Sequence, residues 1–101
     1  MKWNTENEIM NIILEEDLIA SKVLEFKEQI INEIDDSKGV NKILVNLEKT
    51  ENIDSVGVTF IISLYKTANR DGKDFEVKGS SEDIKQLFKL MKLDDFFNLD
   101  D

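Results

Sequence analysis

Asn52-Ile53-Asp54-Ser55-Val56-Gly57-Val58-Thr59-Phe60 is where an apolar strand ends and an apolar helix begins. Upstream, Ile43-Leu44-Val45-Asn46-Leu47-Glu48 is mostly branched and apolar, and too short for a globular helix, which predicts a buried strand. From Val56 the period changes. Val56, Phe60, Ile61, Leu64, Tyr65 and Ala68 fall on one helical stripe, widened by Val58 and Ile62, as expected of a helix packed on a sheet. Ser55 therefore sits at or just inside the helix start. Backbone N–H groups there lack intrahelical partners and carry the positive end of the macrodipole. Asp54 or Ser55 can serve as the N-cap, a side-chain oxygen accepting one of those amides. Ser55 also offers a hydroxyl on which a phosphoryl group would meet unpaired amides while facing the Asp54 carboxylate. The two roles are compatible.

The flanking segments supply the rest of a small α/β fold. Residues from Lys2 to Glu15 read as one or two strands, with Asn7-Glu8 as the turn. Ser21 is the expected N-cap of a helix through Asp35, whose apolar stripe is Val23, Phe26, Ile30, Ile31 and Ile34, with Gly39 closing the element. After the central helix, which ends near Asn69-Arg70, Asp71-Gly72 is a turn signal. Asp74-Phe75-Glu76-Val77-Lys78 then alternates as a half-buried strand does. Gly79-Ser80-Ser81 stops that strand and caps a helix with Glu82 and Asp83 in its first turn and Ile84, Leu87, Phe88 and Met91 inside. Leu93, Phe96, Phe97 and Leu99 are expected to close the sheet edge or bottom as a short irregular or strand segment. The order strand, strand, helix, strand, helix, strand, helix calls for a small mixed β-sheet with helices packed against it. With 101 residues and neither proline nor a Gly/Ser-rich linker, residues 1–101 are expected to form a single domain.

Composition narrows the function classes. A net charge of −9 argues against nucleic acid and anionic membranes as partners, and it favours a basic protein partner. There is no cysteine and no histidine, which removes thiolate chemistry together with the commonest general base and metal ligand. The amino terminus is polar, and no apolar run reaches spanning length, so no membrane insertion and a cytoplasmic location are expected. The acidic groups Glu15-Glu16-Asp17, Asp94-Asp95 and Asp100-Asp101 match no metal loop, and no nucleophile–base pair appears. No enzyme activity, metal or cofactor is expected.

Leu44-Val45-Asn46-Leu47, Ile53-Asp54-Ser55-Val56-Gly57-Val58, Asp71-Gly72-Lys73 and Leu87-Phe88-Lys89-Leu90-Met91-Lys92-Leu93-Asp94 together resemble the STAS domain of bacterial anti-sigma factor antagonists. Order and spacing are kept over most of the chain. Gly57 matches the motif glycine, Val56 stands at a variable and usually small position, and Val58 and Thr59 replace the more usual leucine and glycine. Glu15-Glu16-Asp17-Leu18-Ile19 has lost the glycine of the family's Gly-x-Leu-Asp sequence, and the family's usual further helix is expected to be missing before Asp101.

The resemblance implies a protein-binding module that docks on an anti-sigma factor which is also a serine kinase, freeing a sigma factor. Ser55 takes the place of the serine that the kinase phosphorylates, and a serine phosphatase would act on the modified form. Asp54, Ser55, Val56, Gly57 and Thr59 are the implied partner-binding residues. Asp54 would orient the loop, and Gly57 would let the partner's backbone approach or serve internal packing. Lys66, Asn69 and Arg70 lie on the expected outer face of the central helix. The alternative within the same fold is an adaptor or scaffold subunit of a stress-sensing assembly or a lipid-transport ATPase, independent of phosphorylation.

Overall fold

Branched and aromatic residues at every second position build the sheet. β1 (Lys2–Glu6) and β2 (Ile9–Ile13) pair antiparallel, and β3 (Lys42–Asn46) and β4 (Asp74–Lys78) add in parallel, in the order β1-β2-β3-β4. The computed structural model describes residues 1–99, so the expected acidic pair Asp100-Asp101 lies outside the described residues. Asn7 and Glu8 join the hairpin with φ of 53° and 68°, the left-handed pair that a two-residue hairpin turn requires.

Register places Met10 beside Ile43 and Ile43 beside Phe75, and likewise Ile12, Val45 and Val77; all six are buried. The alternate residues Asn11, Leu44 and Glu76 are half-buried on the opposite face. α1 (Ala20–Asp36) and α2 (Ser55–Arg70) are crossovers between adjacent parallel strands, and right-handed connections put both on one face of the sheet. There Val23, Phe26, Ile30 and Ile34 of α1 and Phe60, Ile61, Leu64 and Ala68 of α2 share one core with the strands. α3 (Glu82–Leu90) contributes Ile84 and Phe88, and Ser81 caps it by accepting from the Ile84 amide at 3.2 Å.

Four expectations are corrected. Ser21 is not the N-cap of α1, which begins one residue earlier; Ile19 holds that position, with no cap from its own side chain. Val56 lies off the buried stripe, 38% exposed. Met91 is 47% exposed rather than on the inner face of α3, because the helix ends at Leu90 and Met91 is already its C-cap. The closing segment is a short helix, α4 (Asp94–Phe97), not a strand or irregular stretch. Lys92 at φ 58° turns the chain between α3 and α4, and Asn98 at φ 47° ends α4, its side-chain amide donating to the Phe75 carbonyl at 2.7 Å. α4 therefore rests against β4 with Phe97 in the core.

Candidate functional site

The β3–α2 connection is held from two directions, and both leave Ser55 outside. Asp54 has an extended backbone and is the N-cap of α2. One carboxylate oxygen accepts from the Gly57 amide at 2.9 Å and the other from the Ala20 amide at 2.9 Å. A single side chain thus caps two helices. This explains why α1 needs no cap from Ser21. The second hold is a short parallel bridge, in which Leu18 N–H donates to the Asn52 carbonyl at 3.0 Å and Asp54 N–H to the Leu18 carbonyl at 3.1 Å. Asp17 extends it by accepting from the Asn52 and Glu51 backbone amides at 3.1 and 3.2 Å and from the Asn52 side chain at 3.0 Å.

Charge and hydrogen bonding agree at both aspartates. The Gly57 amide first, then the Ala20 amide, holds the Asp54 carboxyl below its ordinary 3.8. The Asn52 side-chain amide, followed by the Asn52 backbone, does the same for Asp17. A carboxyl depressed in the folded state stabilises the fold fully above its unfolded pKa, and that contribution is lost as pH falls through the folded value. Acid unfolding should therefore steepen below about pH 4. Asp17→Asn/Asp54→Asn should flatten this limb of a plot of melting temperature against pH while leaving its slope above pH ~5 alone. An unchanged acid limb would refute the assignment.

Ser55 is the first residue of α2 and is exposed; its hydroxyl has no hydrogen-bond partner among the described residues. Its carbonyl accepts from the Thr59 hydroxyl at 2.9 Å, so Thr59, also exposed, stands one turn along. Val56 is exposed beside them. Gly57 is buried, however, and a Cβ built on it would lie 2.0 Å from the Leu18 carbonyl oxygen. The missing side chain serves packing within the chain rather than the approach of a partner. Lys66, Asn69 and Arg70 are exposed farther down α2, and Arg70 pairs with Asp35 of α1 at 2.7 Å.

α2 packs closely along α1 but stands off from α3, and the gap is a groove of about 410 Å³ that opens at Ser55. Ile53, Asp54, Val58, Thr59, Ile62, Leu87 and Met91 complete its lining. Leu87 and Met91 have the spacing of inner-face residues, and nothing in that spacing marks this groove. Asp17 and Leu18 carry no mark of a clamp in sequence; the one signal pointing toward them is Gly57, a glycine on the buried side of α2 that leaves room for the Leu18 backbone. No three carboxylates gather as a metal site among the described residues, and no described helix is long and apolar enough to cross a membrane.

The family model of the STAS domain matches residues 2–101. The chain belongs to the STAS domain family. A crystal structure of a putative anti-sigma factor antagonist, TM1081 from Thermotoga maritima, superposes on this STAS domain with a TM-score of 0.88 at 23% identity, covering 99% of this chain and 85% of that one. The anti-sigma factor antagonist SpoIIAA in its unphosphorylated form superposes with a TM-score of 0.81 at 18% identity, covering 99% and 87%. At these identities the likeness is one of fold: the four-stranded mixed sheet with its four helices is that of the SpoIIAA-like STAS domain.

Proposed function

We propose that this STAS domain is an anti-sigma factor antagonist whose docking is switched by phosphate at Ser55. The observation that carries the reading is an exposed, unpartnered hydroxyl on the first residue of α2, bordered by apolar surface and held by a cap that leaves it free. The partner is an anti-sigma factor that is also a serine kinase. The unmodified protein docks through Asp54, Ser55, Val56 and Thr59, with Gly57 setting the close packing beneath them, and the sigma factor is released. SpoIIAA, which shares the fold, is described in an unphosphorylated form, which supports a phosphate switch as such; the choice of Ser55 rests on its exposed hydroxyl at the start of α2.

The physics of the switch is local. A phosphoryl group adds roughly −1.5 to −2 charge. At Ser55 it would stand beside the Asp54 carboxylate and over Ile53 and Val58, so a close-packed kinase surface must desolvate it or give way. A penalty of about 3 kcal/mol weakens binding by about two decades. No refolding is needed, and a serine phosphatase would restore docking.

The test is intact-mass measurement of the protein purified from its own cells with the modified residue mapped, followed by labelling with radioactive ATP and the cognate kinase. Ser55→Ala should bind the kinase and take no label, while Ser55→Asp should lose about a hundredfold in affinity. Equal labelling of Ser55→Ala would remove Ser55 from the mechanism.

A further inference from the structure

β1 and β4 are the two edges of the sheet, and they are finished differently. At β4, α4 packs alongside and the Asn98 side-chain amide takes up the Phe75 carbonyl. Beyond its pairing with β2, the β1 backbone meets no loop or side-chain hydrogen bond among the described residues. β1 keeps unbroken register with β2 over five residues, without proline or bulge, and Lys2, Asn4, Thr5 and Glu6 are exposed. Such an edge is a template for another strand. Its hydrogen-bonding parity follows from the hairpin. Asn7-Glu8 is a two-residue turn, so the flanking pair Glu6 and Ile9 exchange backbone bonds, and by alternation so do Asn4 with Asn11 and Lys2 with Ile13. Trp3 and Thr5 therefore turn their N–H and C=O groups outward, away from β2.

We infer that β1 pairs antiparallel with β1 of a second copy of this chain, giving a two-fold symmetric dimer with one continuous sheet. The strand is self-complementary. Lys2-Trp3-Asn4-Thr5-Glu6 carries a cation at one end and an anion at the other, equally far from Asn4. A two-fold axis at Asn4 puts Lys2 of each copy opposite Glu6 of the other, and Trp3 opposite Thr5. The outward groups of Trp3 and Thr5 then bond across the axis. Lys2 and Glu6 become non-hydrogen-bonded partners, the closer kind, with Cα atoms about 4.5 Å apart. Both charges lie on the face away from the helices, since Trp3 shares the face of the buried Ile12. Sliding the strands by two residues keeps the bonding parity but loses both ion pairs, so parity and charge agree on one register. The neighbouring charges leave the pair available. Glu15 stands 3.6 Å from Lys2, whose side chain is still 71% exposed and can meet a second carboxylate. Glu16 pairs with the Met1 ammonium, and Glu8 accepts from the Asn41 side chain beyond the turn. A net charge of −9 on each copy opposes association. The ladder is also small beside the roughly 1,200 Å² of a standard interface, so the dimer dissociates on dilution. Growth stops at two copies, because pairing consumes both β1 edges and α4 packs against each β4. None of the residues around Ser55 takes part.

Analytical ultracentrifugation of the full chain between about 10 μM and about 1 mM should show a monomer–dimer equilibrium and no larger species. Lys2→Glu or Glu6→Lys sets like charges opposite each other at both ends of the ladder, and each should weaken the dimer about tenfold. Mixing the two variants should give a heterodimer within about threefold of the parent's affinity, because every charge then faces its opposite. The double variant Lys2→Glu/Glu6→Lys should regain that affinity by itself. Thr5→Pro removes an outward amide that β2 does not use, so it should abolish the dimer while circular dichroism shows the parent's fold. In NMR spectra the Trp3 and Thr5 amides should gain protection from solvent exchange as concentration rises. A chain still monomeric at about 1 mM, a dimer that survives Thr5→Pro, or a mixture no tighter than its two components would each overturn the inference.

Discussion

Gly57→Ala lowers the melting temperature by roughly 12–20 °C in a thermal unfolding experiment followed by circular dichroism. Propensity alone points the other way, since alanine for glycine inside a helix is ordinarily favourable by up to about 1 kcal/mol. Sterics decide. The added Cβ would sit 2.0 Å from the Leu18 carbonyl oxygen and 2.8 Å from Leu18 Cβ and Ile53 Cγ1. The nearest of these atoms is backbone and cannot swing aside. It is also the acceptor of the Asp54 amide, so relief breaks the bridge that ties the two loops. Overpacking costs roughly 1–3 kcal/mol and each lost hydrogen bond about 1 more, a total near 3 kcal/mol. Gly72→Ala is the contrast: no atom lies within 4 Å of a Cβ there, and only the cost of alanine at φ +73° applies. A Gly57→Ala protein that melts within about 3 °C of the parent would refute this packing.

Phe97→Ala should cost about 3–5 kcal/mol, and Phe96→Ala far less, although the two are neighbours in a four-residue helix. Phe97 is fully buried, its ring edge-on to Phe88 at 5.1 Å and to Phe75 at 5.8 Å, so truncation opens a cavity between α3, α4 and β4. Phe96 meets Tyr65 at 5.6 Å but turns half its surface to solvent. Paired urea titrations separate the two. Similar midpoint losses for both variants would mean that α4 is not a wall of the core.

Period carried most of the fold into the sequence. The alternation of Phe75 and Val77 and the stripe of Phe60, Ile61, Leu64 and Ala68 each admit one reading, and the structure buries all of them. What escaped was decided by contacts between distant segments. Ser21 had the chemistry of a cap, but Asp54, far along the chain, reaches the Ala20 amide and makes a local cap unnecessary. Val56 fits a helical stripe, yet in the first turn of α2 it is left exposed while Gly57 and Val58 beside it are buried. Phe96 and Phe97 look alike in sequence, and only the packing of α4 against β4 and α3 buries Phe97 and leaves Phe96 half exposed. The place of Ser55 was legible as a strand-to-helix junction; that Asp17 and Leu18 clamp this junction was not, because no periodicity marks a bridge between two loops.

The doubly engaged carboxylate of Asp54 has a kinetic corollary. Because the Ala20 and Gly57 amides share one acceptor group, fraying at the start of either helix loosens the anchor of the other, and the two ends open as one cooperative unit. Solvent exchange at those two amides is thereby coupled across two separate crossovers, and the loop that presents Ser55 is only as mobile as that joint opening allows.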